Sequence, residues 1–226
     1  MRACDPCVSV VRFEIPSMRD ALSVVRFAVV ALWDNAFLVI FCSLAWLFLT
    51  LLIVPGPPAT VALFAISADI ARQERLLGFG DYLRAVWRYF GVGWRWAAIN
   101  IPVLLIVAVD IRAVPRMVSP EVAVTIQLAL YLALAVWIVI NWFALTFLFQ
   151  QDKPAVVQAL RNGGVLLLQY PWFSLALVVV TTALLALSLV MVIVNMLFGP
   201  MLAALIGTRA VADRLAVYRA ARKMGE

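Results

Sequence analysis

The sequence predicts an all-α integral membrane protein, a polytopic helix bundle of about six transmembrane helices with two amphipathic helices on the cytoplasmic side. Three observations predict it. Of the 226 residues, 66% are hydrophobic and 13% charged, against about half and a quarter in soluble domains. The apolar residues fall in blocks of roughly 20, the length that crosses a bilayer core of about 30 Å, and backbone polar groups within lipid must be satisfied by a helix. No charge lies between Asp34 and Asp69. Inside that stretch, Pro55-Gly56-Pro57-Pro58-Ala59-Thr60 closes one long apolar run and opens a shorter one.

Residues 1–17 are of mixed composition and are expected to form a disordered extension; 18–226 form a single six-span membrane domain. Cys4 and Cys7 have C-x-x-C spacing. A zinc site would need a second pair of ligands, which the chain lacks, so the two read either as a redox or bridging pair or as part of a bland tail. Cys42 reads as a small packing residue within an apolar run. The helical pattern begins at Met18, a candidate true start. No short apolar core follows the N-terminal charges, so the first span is expected to act as its own insertion signal.

From 18 to 33, apolar residues at helical spacing among Arg19, Asp20 and Arg26 read as an interfacial lead-in. Residues 36–54 form the first span, with Asn35 at its start. The second, 59–71, is short and follows proline, which suits a helix start because its missing N–H would lack an intrahelical partner there. Residues 79–90 are amphipathic, with Phe79, Tyr82, Leu83, Val86 and Phe90 on one face and Asp81, Arg84 and Arg88 on the other. Trp94-Arg95-Trp96 marks the interface before a third span, 97–109. A loop over 110–121 leads to the fourth span, 122–149. A second amphipathic piece starts at Pro154 and is expected to break at Asn162-Gly163-Gly164. The fifth span is 172–195. Gly199-Pro200 is expected to turn the chain into a short sixth, 201–208, with a basic helix over 209–226. Gly56-Pro57 and Gly199-Pro200 therefore read as matching structural turns of a partial repeat.

Orientation follows from the basic residues. Of the 18 Lys and Arg, 16 lie in 1–35, 72–95, 153–161 and 209–226, and only Arg112 and Arg116 lie between. The positive-inside rule then places both termini in the cytoplasm of a multi-pass protein of the plasma membrane. The net charge of +6 is read as contact with anionic headgroups rather than nucleic acid, since no recognition motif accompanies it.

Catalytic chemistry is not apparent. There is no histidine, no paired carboxylate within a span and no nucleotide-cradling loop, so an enzyme, a metal and a cofactor are not expected. Asp34, Asp69 and Asp110 fall at span ends, and Asp69 has Arg72 one turn on, as a local ion pair or a coupling site. Amides are placed more deeply: Asn35, Asn100, Gln127, Asn141 and Asn195. Such groups bond helix to helix. Together with Trp33, Trp96, Trp137, Trp142 and Trp172 they could instead ring a sugar or headgroup. The candidate polar site is therefore Asn35, Asp69, Asn100, Asn141 and Asn195.

Asn35, the turn Pro55-Gly56-Pro57-Pro58-Ala59-Thr60-Val61-Ala62-Leu63 and the Phe79-led helix resemble the YesL-like family of bacterial membrane proteins. The chain departs from that pattern in its doubled Pro57-Pro58, in the residue before the turn and in its N-terminal extension. The resemblance implies six spans and a role beside carbohydrate uptake, and brings no site residues with it. Two functions are carried forward: an accessory protein of a transport system, partnered by a permease or a second copy, and a small-solute or lipid transporter with an amide-lined centre.

Overall fold

The computed structural model describes residues 18–72, 77–151, 154–189 and 192–224. The side chains of 18–22, 188–189, 192–195 and 217–224 lie outside that description, as do Cys4 and Cys7. Among the described residues the chain is helical throughout: α1 (Met18–Asp34), α2 (Ala36–Leu51), α3 (Gly56–Arg72), α4 (Phe79–Arg88), α5 (Phe90–Met117), α6 (Pro120–Leu148), α7 (Val156–Gln169), α8 (Pro171–Leu189) and α9 (Val192–Met224).

The short helix α3 is the hub. Its residues are apolar on every side, which suits a helix enclosed by others, and twelve of its 17 are buried. It packs on α2, α4, α5, α6 and α9. Its first turn is buried too, where four orphan N–H groups would normally need partners. The sequence removes the difficulty. Pro57 and Pro58 have no N–H, Gly56 N donates to Ile53 O at 3.2 Å, and Ala59 N donates to Pro55 O at 2.8 Å. From α2, the Trp46 indole donates to Thr60 Oγ1 at 3.0 Å, and that hydroxyl donates to Gly56 O at 3.1 Å. Gly56 and Pro57 thus open the helix, and the turn itself is Leu52–Pro55.

Ile53 in this turn has φ +61°, a left-handed conformation that costs a β-branched residue about 1–2 kcal/mol. Its side chain is largely exposed, so little packing is lost on removal. Ile53→Gly is expected to gain about 0.5–1 kcal/mol, after subtracting glycine's extra unfolded-state entropy. Thermal unfolding in mild detergent checks this, and a loss of stability would rule out a left-handed residue 53.

Three helices are long and apolar enough to cross a membrane: α5, α6 and Met196–Ala216 of α9. Two bent pairs bring the number to as many as five, α1 with α2 at 92° and α7 with α8 at 103°. The expected count of six takes 36–54 and the short 59–71 as separate spans, where the structure has α2 and α3 of 16 and 17 residues. Asn35 sits in the α1–α2 corner, where its side-chain amide donates to Ala31 O at 2.9 Å. The apolar side chains point outward as well as inward: only 11% and 6% of the most apolar stretches of α5 and α6 are buried. Exposure on this scale suits a lipid surround rather than water.

Three expected breaks are absent. Residues 110–117 continue α5, with Pro115 inside it, and the connection shrinks to Val118 and Ser119. Asn162-Gly163-Gly164 lies within α7. Gly199 and Pro200 are not a turn: α9 runs through them as one helix of 33 residues. Proline removes one backbone hydrogen bond there, a cost of about 3 kcal/mol in an isolated helix. Burial on the following turns offsets it, since Met201, Ala204, Leu205 and Ile206 are all fully enclosed. Ser67 of α3 also donates to the Met201 sulfur at 3.3 Å, and Trp142 of α6 to Ala203 O at 2.9 Å.

Candidate functional site

The two buried amides among the described residues form a closed clasp. In α5 and α6 the same pattern, Trp-x-x-x-Asn, occurs as Trp96–Asn100 and Trp137–Asn141. Trp96 Nε1 donates to Asn141 Oδ1 and Trp137 Nε1 donates to Asn100 Oδ1, both at 3.0 Å. Each asparagine then donates back to its own helix, Asn100 to Trp96 O and Asn141 to Trp137 O, both at 2.9 Å. Spacing of four places each Trp and Asn on one helix face, so two paired helices can exchange indole for amide in both directions. Asn100 and Asn141 are 6% and 7% exposed. Further out, Gln127 donates to Ile111 O at 2.9 Å.

The two amides therefore bond to the neighbouring helix and to their own. Asn100 and Asn141 spend their polar atoms on helix pairing and line none of the cavities formed by α3, α7 and α9. Asn35 lies in a different corner of the fold, and the Asn195 side chain lies outside the described residues. Gly199 and Pro200 face an apolar cavity of about 410 Å³, with Trp46, Thr60, Phe64 and Met196 among its walls.

Asp69 belongs to another place, a cavity of about 670 Å³ enclosed by α3, α4 and the end of α6. Its floor is apolar, with Ala65, Ile66, Ala85 and Leu148. Its charged walls are Asp69, Arg72, Asp81, Arg84 and Arg88, completed by Tyr89, Phe149 and Gln151. Arg72 donates across it to Phe149 O, at the carbonyl end of α6, where a cation also suits the helix dipole. Asp81 is committed on both oxygens: Arg84 donates to Oδ1 at 3.0 Å and Gly78 N to Oδ2 at 2.8 Å. Gln151 accepts from Ala155 N at 3.2 Å, while its own amide nitrogen is covered and has no acceptor among the described residues.

Helix α4 positions this cavity because it carries three stripes, not the two expected. Tyr82, Ala85 and Val86 are buried against the core. Phe79, Leu83 and Trp87, four residues apart, are exposed apolar groups. Asp81, Arg84 and Arg88 make the third stripe and face the cavity. The charged stripe was visible in the sequence, but only the packing of α3 and α6 opposite turns it from a solvated face into a cavity wall. Among the described residues no group of three or more His, Cys, Asp or Glu could hold a metal ion.

Tyr82 is fully buried and donates to Ala59 O at 3.3 Å. Burial pushes its phenol well above the ordinary value, and the nearby Cys42 sulfur adds to the shift. A raised folded value means that the folded state keeps its proton where the unfolded chain loses it. The stabilising effect is present below about pH 10, the unfolded tyrosine value, and is lost as pH rises beyond it. Stability is expected to fall on titration above that pH, and Tyr82→Phe to make the fall shallower; an unchanged slope would remove Tyr82 from the account.

The fold and the site together define a class: an all-helical protein with apolar helices suited to a membrane, a closed amide clasp and one charged cavity at a helix end. Comparison with protein-family models, curated proteins and solved structures finds no match.

Proposed function

We propose that the chain is a multi-pass plasma-membrane protein, with both termini cytoplasmic, that serves a transport system as an accessory subunit and is not itself the conduit. The clasp carries this reading. A solute path through the bilayer needs polar groups facing a cavity, and the two deepest amides are instead saturated by indoles of the neighbouring helix. What α5 and α6 offer outward is apolar surface, suited to lipid and to another membrane subunit. The charge distribution, with 16 of 18 basic residues in 1–35, 72–95, 153–161 and 209–226, supports cytoplasmic termini. The resemblance seen around Pro55–Leu63 makes carbohydrate uptake the first system to examine.

The test is affinity purification of the tagged protein from native membranes in mild detergent, with mass spectrometry of its companions. A permease or its subunits in stoichiometric amount is the expected result. A protein that emerges alone, or only with copies of itself, and that conducts solute after reconstitution would overturn the accessory role.

A further inference from the structure

The charged cavity has features that a merely solvated face lacks. Three guanidinium groups, Arg72, Arg84 and Arg88, face two carboxylates, Asp69 and Asp81. Asp81 is already taken up by Arg84 and the Gly78 amide, while Arg72, held on Phe149 O, and Arg88 are the other two guanidinium groups on the wall. Arginine's planar fork matches phosphate oxygens better than any other side chain. Gln151 adds a covered amide donor still without an acceptor among the described residues, and such a group calls for one. The exposed Phe79, Leu83 and Trp87 stripe lies on the same short helix as Arg84 and Arg88. Aromatic and aliphatic groups of that kind sit at the headgroup level of a bilayer, which places the cavity mouth where both lipid headgroups and cytoplasmic solutes can reach it.

We propose that the cavity between α3, α4 and the end of α6 binds a phosphate-bearing anion, gripped by Arg88 and Arg72, with an apolar floor beneath it. The phosphate belongs either to an anionic phospholipid headgroup or to a soluble phosphate compound. This binding does not depend on the accessory role and stands or falls separately from it.

The experiment uses the full-length protein in an uncharged detergent with two probes. Native mass spectrometry compares retention of phosphatidylglycerol with phosphatidylcholine, and calorimetry follows inorganic phosphate. At least one probe is expected to bind, with phosphatidylglycerol preferred over phosphatidylcholine if the lipid is the source and phosphate binding alone if a soluble anion is. Arg88 is exposed, and Arg88→Gln is expected to weaken the binding about fivefold, the contribution of one basic residue beside an anionic surface. Arg88→Lys should recover part of it. Arg112→Gln, on the far tip of α5, should leave it unchanged. The proposal is overturned if neither probe binds, or if Arg88→Gln behaves as Arg112→Gln does.

Discussion

Gly93→Leu is expected to cost about 3 kcal/mol or more, and Gly93→Ala about 1–3 kcal/mol, the range for overpacking a filled interior. At Gly93 helix α5 crosses the buried start of α3. A Cβ added there would lie 2.6 Å from both Cα and N of Pro58 and 2.9 Å from the carbonyl carbon of Pro57. These are backbone atoms, fixed by two proline rings, so no side chain can swing aside. Close backbone approach through small residues is how helices pack where lipid competes on equal terms for apolar contact. Gly91 provides the control. It lies on the same turn, has nothing within 4 Å of an added Cβ, and should gain slightly from Gly91→Ala through helix propensity. Unfolding of both variants by denaturing detergent, followed by circular dichroism, separates the two positions. Equal effects would mean that α5 does not cross α3 at Gly93.

The second large effect belongs to the clasp. Asn141→Leu removes the acceptor of the Trp96 indole and leaves a buried donor unsatisfied, a loss of about 1–3 kcal/mol. Trp137→Phe and Asn100→Leu should each cost a similar amount. The discriminating measurement is a double-mutant cycle across the helices. Trp137→Phe with Asn100→Leu is expected to be less than additive by about 1 kcal/mol, within the range of polar contacts measured in membrane helices. Trp137→Phe with Trp96→Phe, whose indoles serve different amides, should come closer to additivity. Strict additivity in the first pair would show that indole and amide do not meet.

Local pattern was readable where it depends on composition alone. The lead-in over 18–33 became α1, the run from Ala36 became α2, and the Phe79 segment became α4. Glycine and proline were the source of error, because each has two meanings. By local pattern Gly163 reads as a helix breaker, yet an added Cβ there would stand 2.8 Å from Ile140 O and 3.1 Å from Ala144 N. It is a contact between α7 and α6, and no local signal distinguishes contact from break. Pro200 likewise sits in a helix that its neighbours' burial sustains. Asn100 and Asn141 stand out within apolar runs, but whether two amides face a cavity or a neighbouring helix's indoles depends on which helices pair and in what register.

By itself the sequence determined the all-helical class, the suitability for a membrane, and the sorting of charge to one set of segments. Those properties rest on hydrophobicity and backbone hydrogen bonding, which act residue by residue. Tertiary structure alone decided that α3 is the hub, that two Trp-x-x-x-Asn segments lock α5 to α6, and that the arginines of α3 and α4 share one cavity with the end of α6. Each of these is a meeting of residues far apart in the chain, set by close packing between particular helix faces, and spacing along one helix carries no record of its partner.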